Sequence, residues 1–107
     1  MTSATARRPQ GLRFDAAGFR ILVDGRDVFA TMLELKLLNV FLKEPGVAFT
    51  RAEILDEVWG VDVVVTDRVV DTHVMKLRRK LGRFGACLVS VLGYGYRWDA
   101  PAEEVAA

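Results

Sequence analysis

A basic segment, residues 66–83, carries the side chains of this chain best suited to bind another molecule. It reads TDRVVDTHVMKLRRKLGR and holds six Lys or Arg but, after its opening Thr-Asp, a single acid, Asp71. Charge alone favours an ordinary solvated helix face. Such a face usually mixes signs, with an acid one turn before each base. The imbalance therefore favours binding to a polyanion, because guanidinium and ammonium groups pair with phosphate oxygens.

Groups that could support catalysis or hold a metal ion are sparse. The chain has one histidine, His73, and one cysteine, Cys87. A lone histidine on a helix flank more often packs or contacts phosphate than binds metal. The adjacent carboxylates of Asp56 and Glu57 diverge on a helix, and no nucleophile can be paired with a base. We expect no enzyme, no metal site and no cofactor. The single cysteine excludes an intramolecular disulfide, which fits a reducing cytosol.

Length and composition predict one small domain. The 107 residues are 51% hydrophobic, enough for one core. The net charge is only +1, so an argument for nucleic acid rests on charge distribution: eight of the fourteen acids lie between residues 24 and 62, ahead of the basic segment. No apolar run approaches the roughly 20 residues of a membrane span, and the start of the chain lacks the apolar centre of a signal peptide. We expect a cytoplasmic protein with no membrane partner.

Short strands flank the elements that must position the basic segment. Residues 1–10 are polar and aperiodic and are interpreted as a disordered arm or linker, residues 11–99 as the domain, and residues 100–107 as a tail. The runs LRF, FRILV and RDVFA, separated by DAAG and by Asp24-Gly25, predict a small antiparallel sheet. The alternating runs CLVSV and YGYRW predict a C-terminal hairpin.

Three helices are predicted between these strands. Thr31 and Glu34 have the spacing of a capping box, and the helix they begin ends at a Pro-Gly pair. The same spacing recurs at Thr50 and Glu53, where a shorter helix begins. The third helix covers residues 67–82. The apolar residues expected to face the core are Leu33, Leu37, Leu38, Phe41 and Leu42 in the first helix, Ile54, Leu55, Val58 and Trp59 in the second, and Val70, Val74, Leu77 and Leu81 in the third.

On a helical wheel the third helix separates into an apolar side and a basic side. A helix of this width fits the major groove of B-DNA, where Lys and Arg reach guanine acceptors while basic and hydroxyl groups hold phosphates. The side opposite the apolar stripe collects Arg68, Thr72, Met75, Lys76, Arg79 and Arg83, with Arg78 and Lys80 on its flanks.

Several ordered motifs across residues 12–98 resemble one family, the OmpR/PhoB-type winged-helix effector domains of bacterial response regulators. Residues 30–38 resemble its L-T-x-x-E-x-x-L-L opening, with alanine in place of the first leucine, and PGVAFTRAEIL resembles its P-G-x-x-x-S-R-x-x-L-L segment. VWG matches its V-W-G, the basic helix fits R-x-V-D-x-H-I-x-x-L-R-x-K-L, and SVLGYGYR fits T-V-R-G-x-G-Y-R. Together these motifs are far more specific than any one of them.

The resemblance implies an α+β fold, a winged helix-turn-helix with a four-stranded N-terminal antiparallel β-sheet, three helices and a C-terminal β-hairpin wing over residues 88–98. The third helix is expected to read the major groove of double-stranded DNA, with the wing near the minor groove. Trp59 could equally be core, whereas the hydroxyl of Tyr96 is implied to contact phosphate. Alternation predicts that Tyr94, Tyr96 and Trp98 pack on one face. The expected DNA-binding residues are Trp59, Arg68, Thr72, His73, Met75, Lys76, Arg78, Arg79, Ser90, Leu92 and Tyr96.

Three departures from the family pattern matter. Leu92 stands where the family places an arginine that enters the minor groove; we expect loss of that contact, the alternatives being an apolar wedge or a cap that packs on the hairpin. Met75 stands where another cation is common, although methionine can contact a thymine methyl group. About eleven residues precede the first predicted strand. We therefore expect no phosphorylated aspartate here, and either an effector domain without its receiver or an orphan regulator.

The loop between the second and third helices has two open interpretations. Its valines are buried under the third helix, or, as the resemblance implies, the loop touches RNA polymerase. The residues concerned are Val61, Asp62, Val63, Val64 and Val65.

These patterns predict a sequence-specific, double-stranded DNA-binding transcription regulator, which the resemblance implies can self-associate on repeated half-sites. The alternative is a protein-interaction module that docks on RNA polymerase or another regulator and offers its basic face to an acidic protein. Selection of a DNA consensus distinguishes the two, since salt dependence is common to both.

Overall fold

The computed structural model describes residues 11–15, 17–62 and 64–101. Strands β1 (Leu12–Asp15), β2 (Arg20–Val23) and β3 (Arg26–Asp27) precede helix α1 (Met32–Lys43). Strand β4 (Ala48–Thr50) leads into α2 (Arg51–Val58) and α3 (Arg68–Leu81), and a 3-10 turn (Gly82–Cys87) leads into β5 (Leu88–Val91) and β6 (Gly95–Trp98). This is the predicted winged-helix order. The predicted arm, residues 1–10, and residues 102–107 of the predicted tail lie outside the described residues.

The N-terminal sheet is antiparallel with strand order β1-β2-β3. Its second turn is the predicted Asp24-Gly25 hairpin, in which φ is 50° and 83°, the left-handed pair that a type I′ turn requires. Strand β3 is shorter than the run RDVFA predicted. The N–H of Val28 still donates to the Ile21 carbonyl, but Phe29 has φ of 53°, which ends the extended chain. Among the described residues the N-terminal sheet therefore has three strands, where the resemblance implied four.

The wing is a three-stranded sheet with order β4-β6-β5, so the predicted hairpin is extended by a strand from between the first two helices. Ala48 pairs with Arg97 and Thr50 with Gly95. Glycine is required at position 95, where β6 pairs with β4, because a Cβ there would clash with the carbonyl oxygen of Phe49. The wing is thereby attached to the helices along β4.

The core lies between the three helices and the two sheets. Both predicted capping boxes are present: Thr31 and Thr50 each accept from the backbone N–H three residues on, and each glutamate there accepts from the N–H of its threonine. The predicted stripe of α3 is confirmed, since Val70, Val74, Leu77 and Leu81 are fully buried. In α1 the buried set also includes Leu35 and Val40, whereas Leu33 and Leu42 are only half-buried. Leu55 in α2 and Trp59 at its end, which were also expected to face the core, are half-buried as well.

None of the helices in the described part of the chain combines the length and apolar character needed to cross a membrane.

Candidate nucleic-acid interface

Helix α3 presents one continuous exposed stripe on the side away from the core. The stripe spans an arc of about 100° at 3.6 residues per turn. It follows from the sequence pattern, because burying the apolar side of the helix in the core turns the opposite side outward. The exposed residues of this stripe are Arg68, Thr72, Met75, Lys76 and Arg79.

The structure divides the six cations of residues 66–83 into two groups of three. In the first group, Lys80 Nζ donates to Glu34 Oε1 at 2.7 Å and to the Phe29 carbonyl at 3.1 Å, and Arg83 pairs with Asp24 at 2.8 Å. Arg78, the third of this group, is bonded to the wing.

The second group consists of Arg68, Lys76 and Arg79. Within the described part of the chain these side chains make no hydrogen bond or ion pair. All three lie on the exposed stripe of α3. Three of the six cations therefore bond to other parts of the fold, and the other three face solvent on one surface of α3.

Arg78 and Ser90, both predicted phosphate contacts, lie together where α3 meets the wing. Arg78 Nε and Nη2 donate to the Leu88 carbonyl at 2.9 and 2.7 Å, and Nη2 also donates to Ser90 Oγ at 3.0 Å. The fork of the guanidinium is well suited to hold one acceptor with two donors. These bonds fix the orientation of the wing relative to α3.

Tyr96 and Arg51 converge on one oxygen of Asp71. The hydroxyl of Tyr96 donates to Asp71 Oδ1 at 2.5 Å, and Arg51 Nε donates to the same atom at 2.7 Å. The guanidinium groups of Arg51 and Arg78 lie 5.4 and 5.6 Å from the centre of the Tyr96 ring. Since the Tyr96 proton is directed to Asp71, a phosphate contact through that hydroxyl, as predicted, requires this bond to open.

In the cluster of Asp71, Tyr96 and Arg51, each group changes the pKa of its neighbours. Burial raises the pKa of the Asp71 carboxyl, but hydrogen bonds from Tyr96 and Arg51 and the charge of Arg51 outweigh burial and leave the pKa below its ordinary value. Burial and the neighbouring carboxylate raise the pKa of Tyr96. At neutral pH Asp71 is therefore an anion beside a neutral tyrosine. Arg51, which the sequence interpretation did not select, becomes recognisable only from this contact.

Trp59 and His73 pack together between the C-terminal end of α2 and the first half of α3. Their rings meet edge to face with centres 5.1 Å apart. The His73 ring also contacts the Val69 carbonyl through Nδ1 at 3.0 Å, which places the proton on Nδ1 because a carbonyl can only accept. Both side chains are half-buried. Trp59 is therefore neither fully in the core nor fully exposed, and its predicted DNA contact stays a prediction.

The wing tip carries an apolar side chain, Leu92, that is exposed to solvent. Leu92 is 101% exposed, so the interpretation that it caps the hairpin against Tyr94 or Leu88 is wrong. The tip is a turn in which Gly93 has φ of 74°. The predicted shared face of three aromatic rings is also wrong: Tyr96 and Trp98 are buried, whereas Tyr94 lies in the turn and is 47% exposed. The alternating strand begins one residue later than the sequence suggests, at Gly95 instead of Tyr94.

The loop between α2 and α3 exposes its apolar side chains. Val61 and Val64 are 78% and 98% exposed, and Val65 and Asp62 also face solvent. The interpretation that the valines are buried under α3 is therefore wrong for these three residues. Val63 lies outside the described residues.

Comparison with known proteins identifies the family. A sequence profile described as "Transcriptional regulatory protein, C terminal" matches residues 25–98. The chain is 39% identical over 90 residues to the phosphate regulon transcriptional regulatory protein PhoB of Pseudomonas aeruginosa, and the match covers 83% of this chain and 39% of that protein. The chain thus spans about two fifths of the length of this relative.

Solved structures with the same fold include the DNA-binding domain of Bacillus subtilis CssR, with a TM-score of 0.76 at 34% identity over 82% of this chain and 99% of that one. The AdeR DNA-binding domain in complex with an intercistronic region has a TM-score of 0.74 at 29% identity, covering 89% and 100% of the two chains. With its three helices, its wing and the profile match over residues 25–98, the chain belongs to the family of OmpR/PhoB-type winged-helix effector domains of transcriptional regulators.

Proposed function

We propose that residues 11–99 form the DNA-reading unit of a transcription regulator and that α3 enters the major groove of double-stranded DNA. Family membership supports sequence-specific DNA binding as the function of the domain. The observation that carries the mode of binding is the division of the cations. Arg68, Lys76 and Arg79 make no hydrogen bond or ion pair within the described residues, and they share one exposed stripe with Thr72 and Met75.

The chemistry of this stripe fits the major groove. Lys76 lies on the exposed side of α3, and an ammonium group there can donate to the O6 and N7 acceptors of guanine. Arg68 and Arg79, three turns of helix apart, can neutralise phosphates on the walls of the groove. Arg78 and Ser90, oriented by their mutual hydrogen bond, are proposed to hold a phosphate beside the wing. Trp59, His73, Tyr96 and Leu92 complete the proposed interface.

Selection from random duplexes tests this function. The chain is incubated with a random duplex library, the retained DNA is amplified, and binding to the resulting sequence is measured by mobility shift against a scrambled duplex. A consensus with clear preference over the scrambled duplex is expected, since specific sites are typically bound at least about a thousandfold more tightly than non-specific DNA. Equal retention of all sequences would indicate a general polyanion binder. Absence of retention at low salt would favour the protein-interaction alternative.

The loop of residues 61–65 is proposed as a contact for RNA polymerase. The supporting observation is the exposure of Val61 and Val64, two apolar side chains that contribute little to the core. Exposed apolar side chains in a loop are typical of protein contacts.

The remaining parts of the proposal concern the setting of the domain. In this proposal the domain acts in the cytoplasm, without catalysis, metal or cofactor, and two copies bind repeated half-sites. A duplex with two selected half-sites tests the last point: a second shifted band that forms cooperatively supports it, and independent filling of the two sites contradicts it.

A further inference from the structure

We infer that Met75 reads the 5-methyl group of thymine in the major groove and so determines sequence preference at one base pair. This inference rests on the proposed function, because it requires that α3 occupies the major groove.

Met75 lies in the middle of the exposed stripe of α3. It follows Thr72 by three residues and precedes Arg79 by four, so the three side chains lie one above another on the helix surface. Lys76 is its immediate neighbour in sequence and is also exposed. Any groove that receives Thr72, Lys76 and Arg79 must therefore also receive Met75.

The fold makes little use of this side chain. Met75 is 54% exposed, on the side of α3 opposite the fully buried Val70, Val74 and Leu77. The thioether side chain of Met75 forms no strong hydrogen bonds with water, and it can neither bind phosphate nor donate a hydrogen bond to a base. Its favourable contact is with an apolar surface.

The major groove offers one apolar group among the four bases. Guanine, adenine and cytosine present donors and acceptors there, and thymine adds its C5 methyl group. The thioether of methionine is unbranched and polarizable, and it adapts readily to a small apolar partner. The minor groove has no methyl group, so exposed Leu92 at the wing tip cannot produce the same preference. A dependence of binding on thymine methyl groups therefore points to α3.

The test uses the consensus selected for the full chain. Each thymine of that sequence is replaced in turn by deoxyuridine, which removes only the methyl group. Affinity is expected to fall about three- to fivefold at one position, the gain expected for burying one methyl group. Met75→Ala is expected to lower affinity for the thymine site by a similar factor and to abolish the difference between thymine and uracil at that position. Alanine is the best helix former, so the variant should keep the thermal midpoint of the wild type.

Two further variants make the result specific. Met75→Leu keeps an apolar side chain and is expected to retain the preference for thymine over uracil. Thr72→Ala removes the other methyl group of the stripe that could contact thymine, and it is expected to leave that preference unchanged.

Three results would overturn the inference. One is a consensus in which no thymine is sensitive to loss of its methyl group. Another is a sensitivity that survives in Met75→Ala. The third is a sensitivity that disappears in Thr72→Ala instead. Each leaves the proposed function intact, because the domain still binds its consensus. Failure to bind any duplex overturns the proposed function and this inference together.

Discussion

Arg78 holds the carbonyl oxygen of Leu88 between two of its donors, Nε at 2.9 Å and Nη2 at 2.7 Å. Because Arg78 is on α3 and Leu88 begins β5, this helix and the wing are connected through a charged group and a backbone acceptor. Hydrogen bonds to charged groups are among the stronger ones in proteins. If a phosphate contacts Arg78, the guanidinium group is therefore already oriented by its bonds to the Leu88 carbonyl.

Replacing Arg78 with alanine is expected to weaken DNA binding without changing sequence preference. The variant loses a phosphate contact and the connection to the wing, so affinity should fall by a similar factor on the preferred site and on random DNA. The unfolding free energy should fall by about 1–3 kcal/mol as the Leu88 carbonyl loses its charged donor. Ser90→Ala removes only one of the three bonds and should show the same pattern with a smaller effect. A loss confined to the preferred site would contradict the phosphate assignment.

Lowering the pH is expected to reduce the free energy of unfolding as the carboxylate of Glu34 is protonated. This side chain is 2% exposed. Burial raises the pKa of its carboxyl, but bonds from Lys80 and from the Thr31 N–H outweigh burial and hold the pKa below its ordinary value of 4.5. A carboxyl with a lowered folded pKa contributes stability above its ordinary pKa and loses it as pH falls through the folded value. Glu34→Gln removes the charge but can keep the cap, so unfolding free energy should fall by about 1–3 kcal/mol at neutral pH.

Urea unfolding at a series of pH values measures this contribution. The difference between wild type and Glu34→Gln is expected to be constant near neutral pH and to shrink as pH falls below 4.5. Glu57→Gln, at an exposed position of α2, provides the matched control and should follow the wild type throughout. A difference that does not change with pH would show that packing, and not charge, accounts for the effect of Glu34→Gln.

Lys76→Ala is expected to flatten base preference at one position of the preferred site. A good major-groove contact contributes about 1–3 kcal/mol of discrimination, and its removal leaves phosphate contacts in place. Affinities for the consensus and for its single-base variants measure this directly. Lys36→Ala, which removes an exposed lysine from α1, controls for the loss of one positive charge. An equal loss on every sequence would assign Lys76 to the phosphates.

Leu92→Arg is expected to strengthen DNA binding. The added cation should steepen the dependence of log K on log salt by up to about one unit, with a larger gain where the flanking minor groove is narrow and A·T-rich. Since Leu92 is fully exposed, the thermal midpoint should not change. Leu92→Gln separates the added charge from the lost apolar group and should leave the salt slope unchanged. If Leu92→Arg is stable and its affinity is unchanged, the wing tip does not reach DNA.

Replacing both Val61 and Val64 with serine is expected to alter transcription without altering DNA affinity. Both side chains are largely exposed, so the change should leave the thermal midpoint close to that of the wild type. The readouts are a mobility shift, thermal unfolding and transcription reconstituted with RNA polymerase. Unchanged transcription with a stable protein would contradict the proposed polymerase contact, and a fall in stability would show that the valines contribute to packing.

The sequence alone determined the helices and the side of α3 that faces the core. The capping boxes at Thr31 and Thr50, and the apolar spacing from Val70 to Leu81, are local patterns with a single structural solution. The Asp24-Gly25 turn is also local, since its left-handed angles suit these two residues. Such signals act over a few residues and can be recognised without knowing what they pack against.

Tertiary structure decided which cations remain available for a partner. Lys80 and Glu34 are far apart in sequence, as are Asp71 and Tyr96, and helical periodicity contains no information about such pairs. It also decided the exposure of the loop valines and of Leu92, because burial depends on whether a neighbouring element covers a side chain. The basic helix was evident from sequence, but only long-range contacts showed which of its cations bond within the fold and which face solvent without a hydrogen bond or ion pair among the described residues.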